Sequence, residues 1–226
     1  MKIGVLLSGN GVYDGVEIQE AVLTLLAIDE IGAEAVCISI DRNQHHVINH
    51  LNGEEMDENR NMLIESARIA RGNVQEISSI SPADIDALII PGGFGSAKNF
   101  TQWAFDGADG QILPEVKLLL INLVNVGKPI AALCVSPIVL SKALEGSTIK
   151  PKMTIGNDVE KSPYDIASFV EGLNKCGTET SMKSVREIEI DREHKIITAP
   201  CYMMEATISE VRENIRSAVE ALRDLM

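Results

Sequence analysis

Short runs of apolar residues alternate along this chain with longer stretches in which apolar positions recur every three or four residues. Ile3-Gly4-Val5-Leu6-Leu7 reads as a buried strand, closed by the turn residues Ser8-Gly9-Asn10-Gly11. A helix is predicted from about Asp14, a good N-cap, with Glu17 three residues on to complete a capping box. Its apolar stripe includes Val22, Leu25, Leu26 and Ile28, and Gly32 ends it. Residues 35–40 form a second apolar strand, and a polar excursion over 41–59 leads to a helix over about 58–70, stopped by Gly72. Residues 86–90 are a further strand ending in Pro91-Gly92-Gly93-Phe94-Gly95, and a loop with Trp103 then precedes a helix over 114–126. The apolar run 128–134 follows, ending at Cys134 and passing at once into a helix start, Val135-Ser136-Pro137. Downstream, the pattern predicts a short strand at 153–156, a helix over 163–175, a hairpin of 186–191 with 195–199, and a closing helix over 206–225.

Strands alternating with helices of this length predict an α/β fold, a mostly parallel sheet with helices on both faces. No internal repeat, low-complexity tract or linker divides the sequence, so 1–226 reads as a single domain. In such a sheet, ligands sit beyond the carboxyl ends of the strands. Three of these ends carry unusual residues: the 9–14 loop, Pro91-Gly92-Gly93, and Cys134.

Cys134 has the setting of a nucleophile elbow, with sulfur in place of a serine oxygen. A strand that turns sharply into a helix aims the turn side chain at the helix N-terminus, whose dipole favours a thiolate. That predicts Cys134 as the most acidic of the four thiols. Gly92 and Gly93 allow backbone conformations that point N–H groups at a ligand, and with the Val135 N–H they form a candidate oxyanion hole. A cysteine nucleophile usually works with a histidine. His45, His46 and His50 fall in the polar excursion and His194 in the hairpin turn, so all four read as solvated. Glu17 and Glu20, three residues apart on one helical face, are the remaining acid/base candidates.

The net charge of −13 argues against nucleic acid and anionic membrane surfaces as partners. No apolar stretch approaches the ~18 residues of a membrane span. Cysteines 37, 134, 176 and 201 lack zinc-ligand spacing, so no metal site is expected. The N-terminus enters a strand directly with no targeting segment, which predicts a cytoplasmic protein.

Several stretches together resemble the ElbB-type isoprenoid biosynthesis glyoxalases of the PfpI and class I glutamine-amidotransferase-like superfamily. They are residues 7–22 (LSGNGVYDGVEIQEAV), residues 91–99 (PGGFGSAKN), the Cys134 elbow, residues 154–158 (TIGND) and residues 198–203 (TAPCYM). The resemblance implies a flavodoxin-like three-layer sandwich, a homodimer, and a reactive cysteine paired with a helix-borne glutamate. The superfamily places that glutamate in an E-[AT]-V stretch twelve residues before the glycine ending the helix. This spacing selects Glu20, with Glu17 second. By this resemblance the enzyme is a glyoxalase that takes glyoxal or methylglyoxal to hydroxy acids without glutathione, metal or organic cofactor. Cys134 would form a hemithioacetal and Glu20 or Glu17 would move the proton. One departure stands out. Amidotransferases carry a His-x-Glu after the elbow helix, where this chain has Thr154-Ile155-Gly156-Asn157, which weighs against glutamine hydrolysis. It also leaves a second reading, a redox or metabolite sensor or chaperone-like module built on Cys134.

Overall fold

The computed structural model describes residues 1–226. In chain order the first elements are β1 (Lys2–Leu6), α1 (Ile18–Glu30), β2 (Glu34–Ser39), α2 (Met62–Ile69), β3 (Val74–Glu76) and β4 (Ala87–Ile90). Then come α3 (Trp103–Asp106), α4 (Pro114–Asn125), β5 (Ile130–Leu133), α5 (Pro137–Leu144), β6 (Lys152–Met153) and α6 (Ile166–Lys175). The chain ends with β7 (Glu179–Thr180), β8 (Glu189–Asp191), β9 (Ile196–Ala199) and α7 (Ile208–Asp224).

Seven strands form one sheet in the order β3-β2-β1-β4-β5-β9-β8. Every neighbouring pair is parallel except the edge pair β8–β9. The central strands β4, β5 and β9 are buried at every position, as strands covered on both faces must be. Right-handed crossovers in opposite directions along the sheet put helices on both faces: α1 packs on α2 and α7, and α4 packs on α5. This is the mostly parallel, helix-covered sheet that the sequence pattern predicts, in the flavodoxin-like form that the resemblance implies.

The chain runs outward from β1 to β2 and β3, then returns to β4 on the other side of β1 and continues to β5. That reversal opens a crevice at the carboxyl ends of β1 and β4, where doubly wound sheets bind ligands. The β1 loop, Pro91-Gly92-Gly93 and Cys134 all lie at its rim.

Four local expectations change. α1 begins at Ile18 rather than Asp14, because 11–16 close a turn of their own, with Gly15 N–H donating to Gly11 O at 2.6 Å and Gly11 N–H to Val16 O at 3.0 Å. The Asp14 carboxylate is taken by the Ile48 N–H at 2.6 Å, so Glu17 is the N-cap instead and accepts the Glu20 N–H at 2.6 Å. Met153 belongs to a separate two-stranded sheet, β6–β7, rather than to the main one. The loop after Gly95 winds into a π-helix turn, Ser96–Phe100, a feature frequent near functional sites.

Candidate active site

β5 ends at Leu133, and Cys134 takes a φ of 55° so that the chain can turn into α5. For a residue with a Cβ this left-handed conformation costs on the order of 1–2 kcal/mol. The surroundings hold it there. Ser136 N–H donates to Leu133 O at 2.9 Å, and Ser136 Oγ donates to Pro91 O at 2.7 Å while sharing a 2.7 Å hydrogen bond with Ser96 Oγ. Pro137 then starts α5, where its missing N–H costs nothing. The serine pair ties the end of β4 to the elbow. Nothing in the sequence singled it out beyond Ser-Pro as a helix start.

Glu20 is fully buried on α1 and points at this turn. Its Oε2 accepts the Gly92 N–H at 2.9 Å and its Oε1 the Tyr202 N–H at 3.2 Å, and its carboxyl faces the Cys134 thiol across Gly92. Burial, and next the nearby Glu17 charge, push the Glu20 carboxyl up to about 8, against the pull of the Tyr202 N–H, the Cys134 thiol and the Gly92 N–H. At neutral pH Glu20 therefore keeps its proton.

The expectation of an acidic Cys134 thiol is overturned. Burial, then the Glu20 and Cys201 charges, push the thiol up, and the Gly93 and Val135 N–H groups aimed at the sulfur only partly oppose this. The helix terminus is present, but at 5 % exposure loss of hydration outweighs it. The resting pair is thus a thiol beside a carboxylic acid.

All six residues expected at the site gather here, with one role changed. Gly92 does not offer its N–H to a ligand, because Glu20 already uses it. A Cβ on Gly92 would lie 2.5 Å from Glu20 Oε2 and 2.8 Å from Cys134 Sγ, so only glycine lets the carboxyl and thiol meet. Gly93 and Val135 remain as candidate oxyanion donors. Gly93 has a φ of 100° and packs against the backbone of 15–17, which no side chain would allow. Glu17 is half-buried at the head of α1, with its carboxyl spent mainly on capping.

Around the sulfur lies a slot of about 20 Å³, lined by Glu17, Gly93, Phe94, Tyr164, Phe169 and Tyr202 among others. No histidine reaches it. His45 and His46 stack on Phe105, and His194 Nδ1 pairs with Asp191 Oδ2 at 2.8 Å. His50 is exposed, as expected, yet its Nε2 accepts the Tyr13 N–H at 3.2 Å, so the polar excursion folds back over the β1 loop. The aromatic residues of the slot carry no joint signal in the sequence because they come from three distant segments.

A doubly wound sheet with a cysteine elbow and a buried helical glutamate fits a class I glutamine-amidotransferase-like protein. No family model matches the chain. It is 37% identical over 228 residues to the human glutamine amidotransferase-like class 1 domain-containing protein 3, mitochondrial, covering 99% of this chain and 83% of that one. It is equally 37% identical over 228 residues to the rat ES1 protein homolog, mitochondrial, covering 99% and 84%. The chain belongs to this ES1-like, class 1 glutamine amidotransferase-like family. Among solved structures, an isoprenoid biosynthesis protein with an amidotransferase-like domain from Ehrlichia chaffeensis superposes with a TM-score of 0.89 at 34% identity, covering 100% and 99% of the two chains. Glyoxalase III from Candida albicans shares the fold, with a TM-score of 0.59 at 18% identity and coverage of 100% and 95%.

These relatives also correct the expected location. The human, rat and zebrafish proteins are all named mitochondrial, which overturns the cytoplasmic reading.

Proposed function

We propose that this protein is a glutathione-independent glyoxalase of the ElbB type, isomerising and hydrating small 2-oxoaldehydes to 2-hydroxy acids. The observation that carries this reading is the contact of the Cys134 thiol with a Glu20 carboxyl poised near pH 8. The Cys134 sulfur adds to the aldehyde carbon while its proton passes to the carbonyl oxygen, giving a hemithioacetal. Glu20, once ionised, removes the hydrogen from that carbon, and an enediol forms. Returning the proton to the neighbouring carbon leaves a thioester, which water cleaves to the hydroxy acid and free thiol. The overall change adds one water to the substrate and needs no external oxidant or reductant. Gly93 and Val135 N–H groups stabilise the oxygen that becomes negative. A carboxyl that releases and retakes a proton near neutrality suits this shuttle.

The absence of a histidine from the slot favours a second reading, in which Cys134 is a thiol kept for oxidation. Purified protein incubated with glyoxal and methylglyoxal, without glutathione, should form glycolate and lactate. Formation no faster than with Cys134→Ser or with buffer alone would leave the sensor reading standing instead. Exposed Ile18, Val22 and Leu26, four residues apart on α1, support a homodimer. Light scattering that returns one 24.5 kDa chain would sink that expectation.

A further inference from the structure

We propose that the large chamber beside the thiol slot holds the side arm of the substrate, and that this arm is aromatic, so that the preferred substrates are aryl-substituted 2-oxoaldehydes. This rests on the glyoxalase reading above. The chamber encloses about 800 Å³, within the usual range for small-molecule sites. The chain has eight aromatic residues, one Trp, three Tyr and four Phe, and five of them line this one space: Tyr13, Phe94, Trp103, Tyr164 and Phe169. They arrive from the loops after β1 and β4, from α3, and from the start and middle of α6. A chain so poor in rings that gathers most of them at one place builds a surface for another ring, which gains from edge-to-face and offset contacts.

Chamber and slot share the walls Phe94, Tyr164 and Phe169. As the structure stands, the slot has room for about one water molecule, and even a two-carbon dicarbonyl does not fit. The Phe94 and Tyr164 rings meet edge-on with centroids 5.8 Å apart, so a substrate head reaches Cys134 only when they part. A ring seated in the chamber contacts the same side chains and offsets that displacement, while glyoxal brings nothing to do so.

Two further features favour a neutral aryl arm. Lys98 lies on the chamber wall, its Nζ 5.7 Å from the Phe94 centroid and donating to Tyr13 O at 2.8 Å, which disfavours a cationic occupant. Gly172 lies inside α6, where glycine weakens a helix. A Cβ there would lie 2.6 Å from Trp103 Cζ2, so the glycine leaves space for the indole that walls the chamber.

Trp103 is the only tryptophan and reports on the chamber directly. Acetophenone, which has the aryl ketone but no aldehyde for Cys134 to attack, should quench its fluorescence saturably in the wild type and in Cys134→Ser. Ala104→Leu, a change at an exposed position on the chamber wall, should weaken that binding at least tenfold. The kcat/KM ratio of phenylglyoxal to glyoxal should exceed ten in the wild type and fall at least tenfold in Ala104→Leu. Linear quenching, or a ratio near one, overturns the aryl site whatever the turnover. Saturable acetophenone binding without turnover of any dicarbonyl overturns the glyoxalase reading and leaves the aryl site in place.

Discussion

Cys134 and Cys201 stand at the ends of adjacent strands and share most of what marks a nucleophile. β5 and β9 pair with Leu133 opposite Ala199, and both cysteines adopt left-handed backbone, with φ of 55° and 45°. Both are buried, and burial pushes both thiols up. Their surroundings differ. The Cys134 sulfur lines the slot, receives the N–H groups of Gly93 and Val135, and faces the Glu20 carboxyl. The Cys201 sulfur faces one backbone N–H, that of Cys134, and is wholly inaccessible, while its own N–H is held by Asn214 Oδ1 at 2.9 Å. A strained turn at a strand end is therefore only a platform. A thiol becomes a candidate for chemistry through the donors aimed at it, a proton partner, and an opening.

The largest expected effect breaks or keeps this comparison outright. Cys134→Ala should lower turnover by roughly 10⁴-fold or more, as loss of a nucleophile does. Cys201→Ala should change turnover less than about threefold and instead lower folding stability by the roughly 1 kcal/mol typical of a small core truncation, read as a lower melting temperature. Equal activity losses in the two variants would show that the sulfurs act as a pair.

Glu20→Gln comes next, with turnover expected to fall by roughly 10²–10⁴. The same variant carries a pH signature. Glu20 sits at about 8 in the folded chain against 4.5 when unfolded, so between these values the folded state holds the extra proton. Its contribution is therefore most favourable below 4.5, and folding stability declines as pH rises toward 8. Denaturation midpoints measured across that window should slope downward in the wild type and much less in Glu20→Gln. A wild-type slope unchanged by the substitution would show that Glu20 is already ionised in the fold.

A smaller effect concerns alkylation. All four thiols are buried, and burial raises each of them, Cys37 to about 11. Iodoacetamide at neutral pH should therefore modify the native protein more slowly than a free thiol, and should reach Cys134 before Cys201, because only Cys134 meets the slot. Peptide mapping that finds Cys201 modified first would reverse the comparison.

The smallest effect sharpens the role of Glu17. Glu17→Gln keeps a capping oxygen, so the stability cost should be on the order of 1 kcal/mol or less. The Glu17 charge helps to raise Glu20. Removing it should shift the ascending, acid-side limb of the pH–rate profile to lower pH, with little change in maximal turnover. A collapse in turnover at every pH would instead make Glu17 the proton carrier.

Much of this arrangement is legible before folding. The run 128–134 has to be a buried strand, because nothing polar interrupts it, and Pro137 soon after has to open a helix, so Cys134 falls on the turn. The residues alone leave Glu17 and Glu20 both open, and it is the superfamily resemblance, through the E-[AT]-V spacing to Gly32, that picks out Glu20, the glutamate that the fold brings to the sulfur. The start of α1 was misread because Asp14 is as good a cap as Glu17 until Ile48, 34 residues away, claims its carboxylate. The oxyanion assignment of Gly92 failed in the same way: a glycine N–H looks free in the sequence, and only the packing of α1 shows that Glu20 holds it.

What the sequence determined by itself is local and periodic: the alternation of strand and helix, the order of turns, and the elbow. Hydrogen-bonding geometry within a few residues is enough to enforce these. The tertiary structure decided the pairing of Cys134 with Glu20, the protonation of that pair and the shape of the space around it. Desolvation depends on atoms from every packed element at once, so a helix terminus that should acidify Cys134 is outweighed by burial no local pattern records. The aromatic chamber is likewise the meeting of segments more than 150 residues apart, Tyr13 with Phe169, and no stretch of the chain announces it alone.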